Sequence, residues 1–209
     1  MLVFDIIESM VKAIIFDSDG IVTSSKMFSE ELEKDFGIPA EKLLPFFKSV
    51  FQKCLIGKAD LKEELKNYVE EWGWKGTVDE LTDYWFKVEH EINDKVVEKI
   101  KELRKKGIKC YLGTNQEQYR TNYLRDSMGF GELFDAVWSS AEVGVKKPSK
   151  EFFDAACKEI SEDGKISKNE IMFWDNDEDN VQGAKEYGLQ AYLYHDYDEF
   201  EQIIDEGTK

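Results

Sequence analysis

Cysteine, histidine and positive charge are all in short supply in this chain of 209 residues. Its three cysteines, Cys54, Cys110 and Cys157, are odd in number and far apart. With no CxxC pair and no nearby histidine to complete a zinc set, they exclude a disulfide framework and read as reduced, buried thiols. Two histidines, His90 and His195, leave His-based catalysis or metal binding little to work with, and both read as structural. No stretch reaches the roughly 18 consecutive apolar residues of a membrane span. The first residues carry neither a basic n-region nor a small-residue cleavage site, so a cytoplasmic location is expected. With 28 basic residues against 44 acidic ones the formal net charge is −16, which disfavours a nucleic-acid partner, because affinity for a phosphate backbone comes from Lys and Arg. The expected partner is a small molecule, with neither nucleic acid nor membrane involved; oligomeric state has no signature here.

What is present suffices for a folded domain plus a smaller insert: the chain is 42% hydrophobic and 13% aromatic. "VKAIIF", residues 11–16, is a short apolar run ending in the turn chemistry of "DSDG", and it reads as the first strand. Met10 offers a second start upstream of it, so residues 1–9 are left open as an extension or as part of the fold. From about Ser25 to Asp94 the pattern becomes charged and amphipathic, as in "LLPFFKSVFQK", "DLKEELKNYVEEW" and "VDELTDYWFKVEHEI", and predicts an all-helical insert. Trp72, Trp74, Tyr84, Trp85 and Phe86 are expected to pack its core. Beyond it, strands "IKCYLGTN", "FDAVWSS", "EIMFWD" and "LQAYLYH" alternate with helices, the pattern of a doubly wound parallel α/β sheet. The expected division is a core of residues 11–24 and 95–209 with a helical unit over 25–94.

In such sheets ligands sit beyond the carboxyl ends of the strands. The polar residues at those ends are Asp17 and Asp19, Thr114, the pair Lys146 and Lys147 before Pro148, and the acidic stretch "FWDNDEDN" over 173–180. Taken in order, "FDSDGIV", "CYLGTNQ", "GVKKPSKEFF" and "IMFWDNDEDNVQGAKEYGLQAYLY" resemble the haloacid dehalogenase superfamily, over nearly the whole chain from Val11 to about Tyr194. The helical insert lies where the subfamily with a helical cap carries one. The resemblance implies a Rossmann-like core, Mg²⁺ as cofactor, and a small phosphorylated metabolite as substrate.

Phosphoryl transfer needs an in-line nucleophile, a proton donor for the leaving oxygen, and positive charge about the equatorial oxygens. Two aspartates at i and i+2 on a turn leaving a strand can supply the first two, with Asp17 as nucleophile forming an aspartyl-phosphate and Asp19 as general acid and base. Thr114 and Asn115 are the candidates for holding the phosphoryl group. Lys147, immediately before Pro148 as in the family motif, would neutralise nucleophile and phosphate, with Lys146 as the substitute. Dehalogenases of this superfamily typically lack an acid at the position of Asp19, which favours a phosphatase. Lys48, Lys53 and Lys58 in the insert are further candidates for an anionic substrate, although a charged helical face is more often simply solvated.

The acidic stretch leaves alternatives open. Aligned on "VQGAKEYG", Asp175 and Asn176 fall where many relatives have Asp-Asp, so the expected metal set is Asp17, Asp19, Asp175 and Asn176, with an amide in place of one carboxylate. A shifted register pairs Asp175 with Asp179 instead. "DNDEDNVQGAKE" also has acids at positions 1, 3, 5 and 12 of a calcium loop, but Asn180 stands where Gly is required. "EISEDGKISKNE", from Glu159 to Glu170, is a second near-match. The leading expectation is a Mg²⁺-dependent phosphomonoester hydrolase. A phosphosugar mutase of the same fold, or a catalytically weakened binding or regulatory protein, are the alternatives.

Overall fold

The computed structural model describes residues 10–23, 27–161 and 165–209. Whether residues 1–9 belong to the fold, and most of the loop within the second calcium-like stretch, lie outside these described residues. Five apolar runs make one parallel sheet: β1 (Ala13–Phe16), β2 (Lys109–Thr114), β3 (Ala136–Ser139), β4 (Ile171–Asp175) and β5 (Gln190–Leu193), ordered β3-β2-β1-β4-β5. Between β1 and β2 lie α1 (Phe28–Phe36), α2 (Ala40–Lys48), α3 (Val50–Cys54), α4 (Leu61–Leu65), α5 (Val69–Trp72), α6 (Val78–Val88) and α7 (Asp94–Lys105). Then α8 (Gln118–Asp126) and α9 (Phe130–Leu133) connect β2 to β3, and α10 (Ser140–Val143) and α11 (Lys150–Ile160) connect β3 to β4. Helix α12 (Glu178–Tyr187) connects β4 to β5, and α13 (Tyr197–Gly207) follows. This is the doubly wound α/β architecture expected from the alternation of strands and helices.

The central strands are largely apolar because both faces of the sheet are covered. Ile14 and Phe16 of β1 join Val96 and Ile100 of α7, Leu124 of α8 and Phe200 of α13 on one side. Ala13 and Ile15 join Phe152 and Phe153 of α11 and Ala184 of α12 on the other. Strand β1 is central, with β2 and β4 on its two sides, so the winding reverses at its carboxyl end. That crevice is where a doubly wound sheet takes its ligand.

Helices α1 to α6 enclose an apolar cluster of their own, in which Phe28, Leu32, Leu43, Phe46, Trp72 and Trp85 are buried. Of the aromatics predicted to form a core, Trp72, Trp85 and Phe86 are buried in it, while Trp74 and Tyr84 are half-buried against its edge; Phe28 and Trp85 stack at 4.7 Å between ring centroids, and Phe46 meets Trp72 edge-on at 5.4 Å. Helix α6 begins with a capping box, the Thr77 hydroxyl accepting from the Glu80 N–H and the Glu80 carboxylate from the Thr77 N–H. Two segments that read as continuous amphipathic runs are broken. "LLPFFKSVFQK" is interrupted at Ser49, whose φ of −124° and ψ of −85° leave the helical region. "DLKEELKNYVEEW" divides after Leu65, where the N–H groups of Asn67 and Tyr68 turn back on Glu64 and Leu65. The breaks let the segment wrap a small centre, which one long helix cannot do.

Beyond β1, Thr23 and Ile92 form an isolated antiparallel bridge at the base of this segment, with the Asn93 N–H donating to the Val22 carbonyl at 2.9 Å. Arg120 of α8, only 2% exposed, donates to the carbonyls of Phe86 and Glu89 at 3.1 and 3.2 Å. It thereby satisfies acceptors that the end of α6 leaves open. Lys146 Nζ reaches Gln52 Oε1 at 2.6 Å, and the Tyr119 hydroxyl donates to Asp60 at 2.8 Å. Gly57, at φ +66°, lies against α10 so closely that a Cβ there would stand 2.4 Å from the Ala141 carbonyl oxygen. No helix among the described residues is long and apolar enough to cross a membrane.

Gly57→Ala should therefore destabilise the protein, since a left-handed non-glycine residue alone costs about 1–2 kcal/mol and the backbone contact adds to it. Urea denaturation checks this: an unchanged midpoint would show that the loop is free to move off Ala141.

Candidate active site

The register of the parallel strands assembles the site. Phe16 lies opposite Trp174 and Leu112, so the next residues along, Asp17 and Asp175, emerge side by side at the switch point with Thr114 one strand over. The Asp17 N–H continues the ladder onto the Trp174 carbonyl at 2.9 Å. Between the two carboxylates sits the Lys147 ammonium, 2.7 Å from Asp17 Oδ1 and 2.7 Å from Asp175 Oδ2. The lysine is 3% exposed. Its backbone is held from both sides by the Asn115 amide, which accepts from the Lys147 N–H at 2.9 Å and donates to the Lys147 carbonyl at 3.2 Å. Asp19, two residues beyond Asp17, accepts from the Thr23 hydroxyl at 3.1 Å and from Gln116 Nε2 at 2.6 Å.

These groups line a cavity of about 300 Å³ to which Asp17, Asp19, Thr114, Asn115, Lys147, Asp175 and Asn176 all contribute. All seven residues singled out from the sequence thus meet in one place. Lys146 does not join them, being turned to Gln52, and neither do Lys48, Lys53 or Lys58. Met27, Glu89, Asp177 and Asn180 also face the cavity. Of these, Glu89 was missed, because the last residue of an amphipathic helix carries no local sign of where its carboxylate ends up.

The acidic stretch divides its tasks residue by residue. Asp175 accepts from Lys147, from Asn180 Nδ2 at 3.1 Å and from the Asp177 N–H at 2.9 Å. Asp177 caps α12, accepting from the N–H groups of Asp179 and Asn180. Asn176 lies over Gly20, where a Cβ would meet its Nδ2 at 2.4 Å; Gly20 also has φ +85°, so the turn carrying Asp19 admits only glycine there. The stretch is a strand-to-helix corner, and Asp175 is too fully engaged to open a calcium loop. In the second near-match, Glu159 accepts from the Trp138 indole and Glu170 pairs with Lys12, so its two end acids face elsewhere.

The charges do not balance. Lys147 remains a cation, since Asp17 and Asp175 together outweigh the burial that opposes its charge, and its pKa is raised. Two carboxylates against one ammonium leave buried negative charge in excess. Burial, supplemented by Asp175 and Asp19 and opposed by Lys147, pushes Asp17 up to about 7. Glu89 is likewise pushed up to about 7 by burial, which outweighs the attraction of Arg120.

No group of three or more His, Cys, Asp or Glu side chains among the described residues forms a ready-made metal centre. The donors at hand are nonetheless hard oxygens, on Asp17, Asp19 and Asn176, which all line the cavity. Mg²⁺ takes few protein ligands and keeps several waters. Such a set, lying beside uncompensated negative charge, fits that ion.

Residues 11–188 match the family model for haloacid dehalogenase-like hydrolases. The chain belongs to that family. Among relatives, phosphatase MT3486 of Mycobacterium tuberculosis (strain CDC 1551 / Oshkosh) is 26% identical over 193 residues, 88% of this chain and 87% of that protein. A sesquiterpene phosphatase of Aspergillus oryzae (strain ATCC 42149 / RIB 40) is 31% identical over 90 residues, 43% of this chain. A drimenol cyclase of Aspergillus calidoustus is 34% identical over 72 residues, 34% of this chain. The chain spans only 44% and 13% of the lengths of the latter two. The fold is shared with a HAD family enzyme, bt-2542 of Bacteroides thetaiotaomicron, at a TM-score of 0.76 and 20% identity over 93% of this chain and 98% of that one. That enzyme is also known as a complex with magnesium and inorganic phosphate.

Two outcomes are expected of the ion triad. Lys147→Met strands two buried carboxylates and should cost about 3–5 kcal/mol of stability by urea denaturation. In metal-free protein, the stability that Asp17 contributes should be full below its ordinary value of 3.8 and lost as pH rises to about 7, because over that interval the folded state holds a proton that the unfolded state releases. Asp17→Asn should remove that part of the slope; denaturation midpoints in chelator from pH 4 to 8 test it, and identical slopes for the two proteins would refute it.

Proposed function

We propose that the protein hydrolyses phosphomonoesters of small metabolites through an aspartyl-phosphate on Asp17. The observation that carries this reading is a buried lysine bridging two carboxylates at the switch point of the sheet, with a second aspartate on the same turn as the first. Asp17 attacks phosphorus in line, Asp19 protonates the departing oxygen, and Asp19 then takes a proton from the water that cleaves the acyl phosphate. Lys147 holds Asp17 in place and offsets charge on the phosphoryl group, and Thr114 is positioned to donate a hydrogen bond to one of its oxygens. Mg²⁺, held by Asp17, the Asp19 carbonyl and Asn176, would supply the neutralising charge that a dianionic phosphate needs in this site. Asp175, whose oxygens are engaged, orients Lys147. The acid at position 19 and two relatives named as phosphatases support a phosphatase over a dehalogenase.

Residues 25–94 are proposed to act as a cap over the core formed by residues 11–24 and 95–209. Closure of such a cap excludes water while the acyl phosphate forms. The small cavity supports a small substrate, and a water rather than a second hydroxyl as acceptor is the simpler assignment.

Phosphate release from a panel of phosphomonoesters, in Mg²⁺ and in chelator, tests the reading. Turnover should require Mg²⁺ and fall to background in Asp17→Asn. A folded protein that binds Mg²⁺ but turns over no ester would instead make it a binding protein. Asn176→Asp restores a carboxylate to the set and should tighten Mg²⁺ in a calorimetric titration; unchanged affinity would remove Asn176 from it.

A further inference from the structure

The hydrogen bonds around Asp19 single out a residue that has no part in the scheme so far. Asp19 is exposed, and an exposed aspartate on a turn is free to rotate about both of its side-chain bonds. Here each of its oxygens is occupied. Oδ1 accepts from Thr23, whose hydroxyl also lies 3.2 Å from the Ser18 carbonyl within the same turn. Oδ2 accepts from Gln116 Nε2 at 2.6 Å, a contact between residues 97 apart in sequence. One bond leaves a carboxyl free to swing about it, whereas two, on opposite oxygens, fix its plane. The backbone of Gln116 is itself tied down: its main-chain carbonyl accepts from the Ala141 N–H at 3.2 Å and from the Ser140 hydroxyl at 3.4 Å, at the start of α10.

We infer that Gln116 is a positioning residue that aims the Asp19 carboxyl at the leaving oxygen of the substrate. The inference rests on the reading of Asp17 as nucleophile and Asp19 as acid and base. In the first half-reaction the Asp17 oxygen forms its bond to phosphorus while the ester P–O bond breaks, and the electron pair left on the departing oxygen takes the Asp19 proton. In the second, water forms its bond to phosphorus and yields a proton to Asp19, and the bonding pair of the acyl phosphate returns to Asp17. Asp19 therefore alternates between donor and acceptor. Gln116 presents a neutral N–H, which holds Oδ2 without fixing the protonation state of Asp19 and leaves the acidic proton free to face the substrate; lysine would favour the ionised form, and ionised glutamate has no donor with which to make the contact.

Proton donation matters in proportion to the basicity of the leaving group. A p-nitrophenolate departs unaided, whereas an alkoxide does not, and a placed general acid contributes about 10²–10⁴-fold. The test compares kcat/KM, which reports the first half-reaction, for p-nitrophenyl phosphate and for whichever of glycerol 1-phosphate, glucose 6-phosphate and phosphoglycolate turns over fastest, in Mg²⁺. Gln116→Ala and Gln116→Glu should each lower kcat/KM for the alkyl ester by about tenfold or more, leaving the aryl ester within about twofold of the unsubstituted protein. Equal losses on both esters would make the contact merely structural, and no loss on either would make it idle; each overturns the inference. A failure of the phosphatase reading is distinguishable, because then the unsubstituted protein itself turns over neither ester, and the inference falls with it. Thermal unfolding of both variants separates a local loss from a general one.

Discussion

Three buried charges fix the geometry on which the rest of this site depends: the Lys147 ammonium lies 2.7 Å from a carboxylate on each of two adjacent strands. Parallel register brings Asp17 and Asp175 level with each other, and without a cation between them their repulsion would oppose the pairing of β1 with β4 just where the crevice opens. Burying charge is expensive, and such an arrangement persists only when the remaining hydrogen-bonding capacity is met. It is met from several directions, by Asn115 on the lysine backbone and by Asn180 and the Asp177 N–H on Asp175. Burial and the residual negative charge together raise the affinity of Asp17 for a proton.

Much of this could be read from the chain, because the relevant signals are local. A strand ending in Asp-x-Asp-Gly, a strand ending in Thr, and a Lys-Pro loop each carry their own punctuation, and the alternation of strand and helix says that their ends converge. What depends on distant contacts could not be read. Lys146 and Lys147 are equivalent in "KKP", and they part company only because one faces the carboxylates and the other reaches Gln52. The acidic run looks like a uniform patch, yet Asp175 orients a lysine, Asn176 covers Gly20 and Asp177 caps a helix. Gln116 and Glu89 gain their significance wholly from tertiary placement. The breaks at Ser49 and after Leu65 were likewise invisible to periodicity, which registers a continuing amphipathic face whether or not the axis bends.

Both apolar and polar contacts join α1 to α6 to the sheet. Tyr123 of α8 packs against the cluster of α1 to α6 and against one on the sheet, with the Phe86 ring centroid 5.4 Å from its own, and Tyr119 packs against the former cluster. Around that edge run the Arg120 bonds to Phe86 and Glu89, the Lys146–Gln52 bond and the contact of Gly57 with Ala141. Polar bonds exchange with water at modest net cost, whereas a shared apolar core does not separate cheaply.

The pairing of Thr23 with Ile92 has a topological consequence. Because the two ends of the intervening segment meet in a single antiparallel bridge, its loop is closed at its base before the chain enters α7. The length and shape of the segment between these two residues can therefore change without moving the residues at the end of β1.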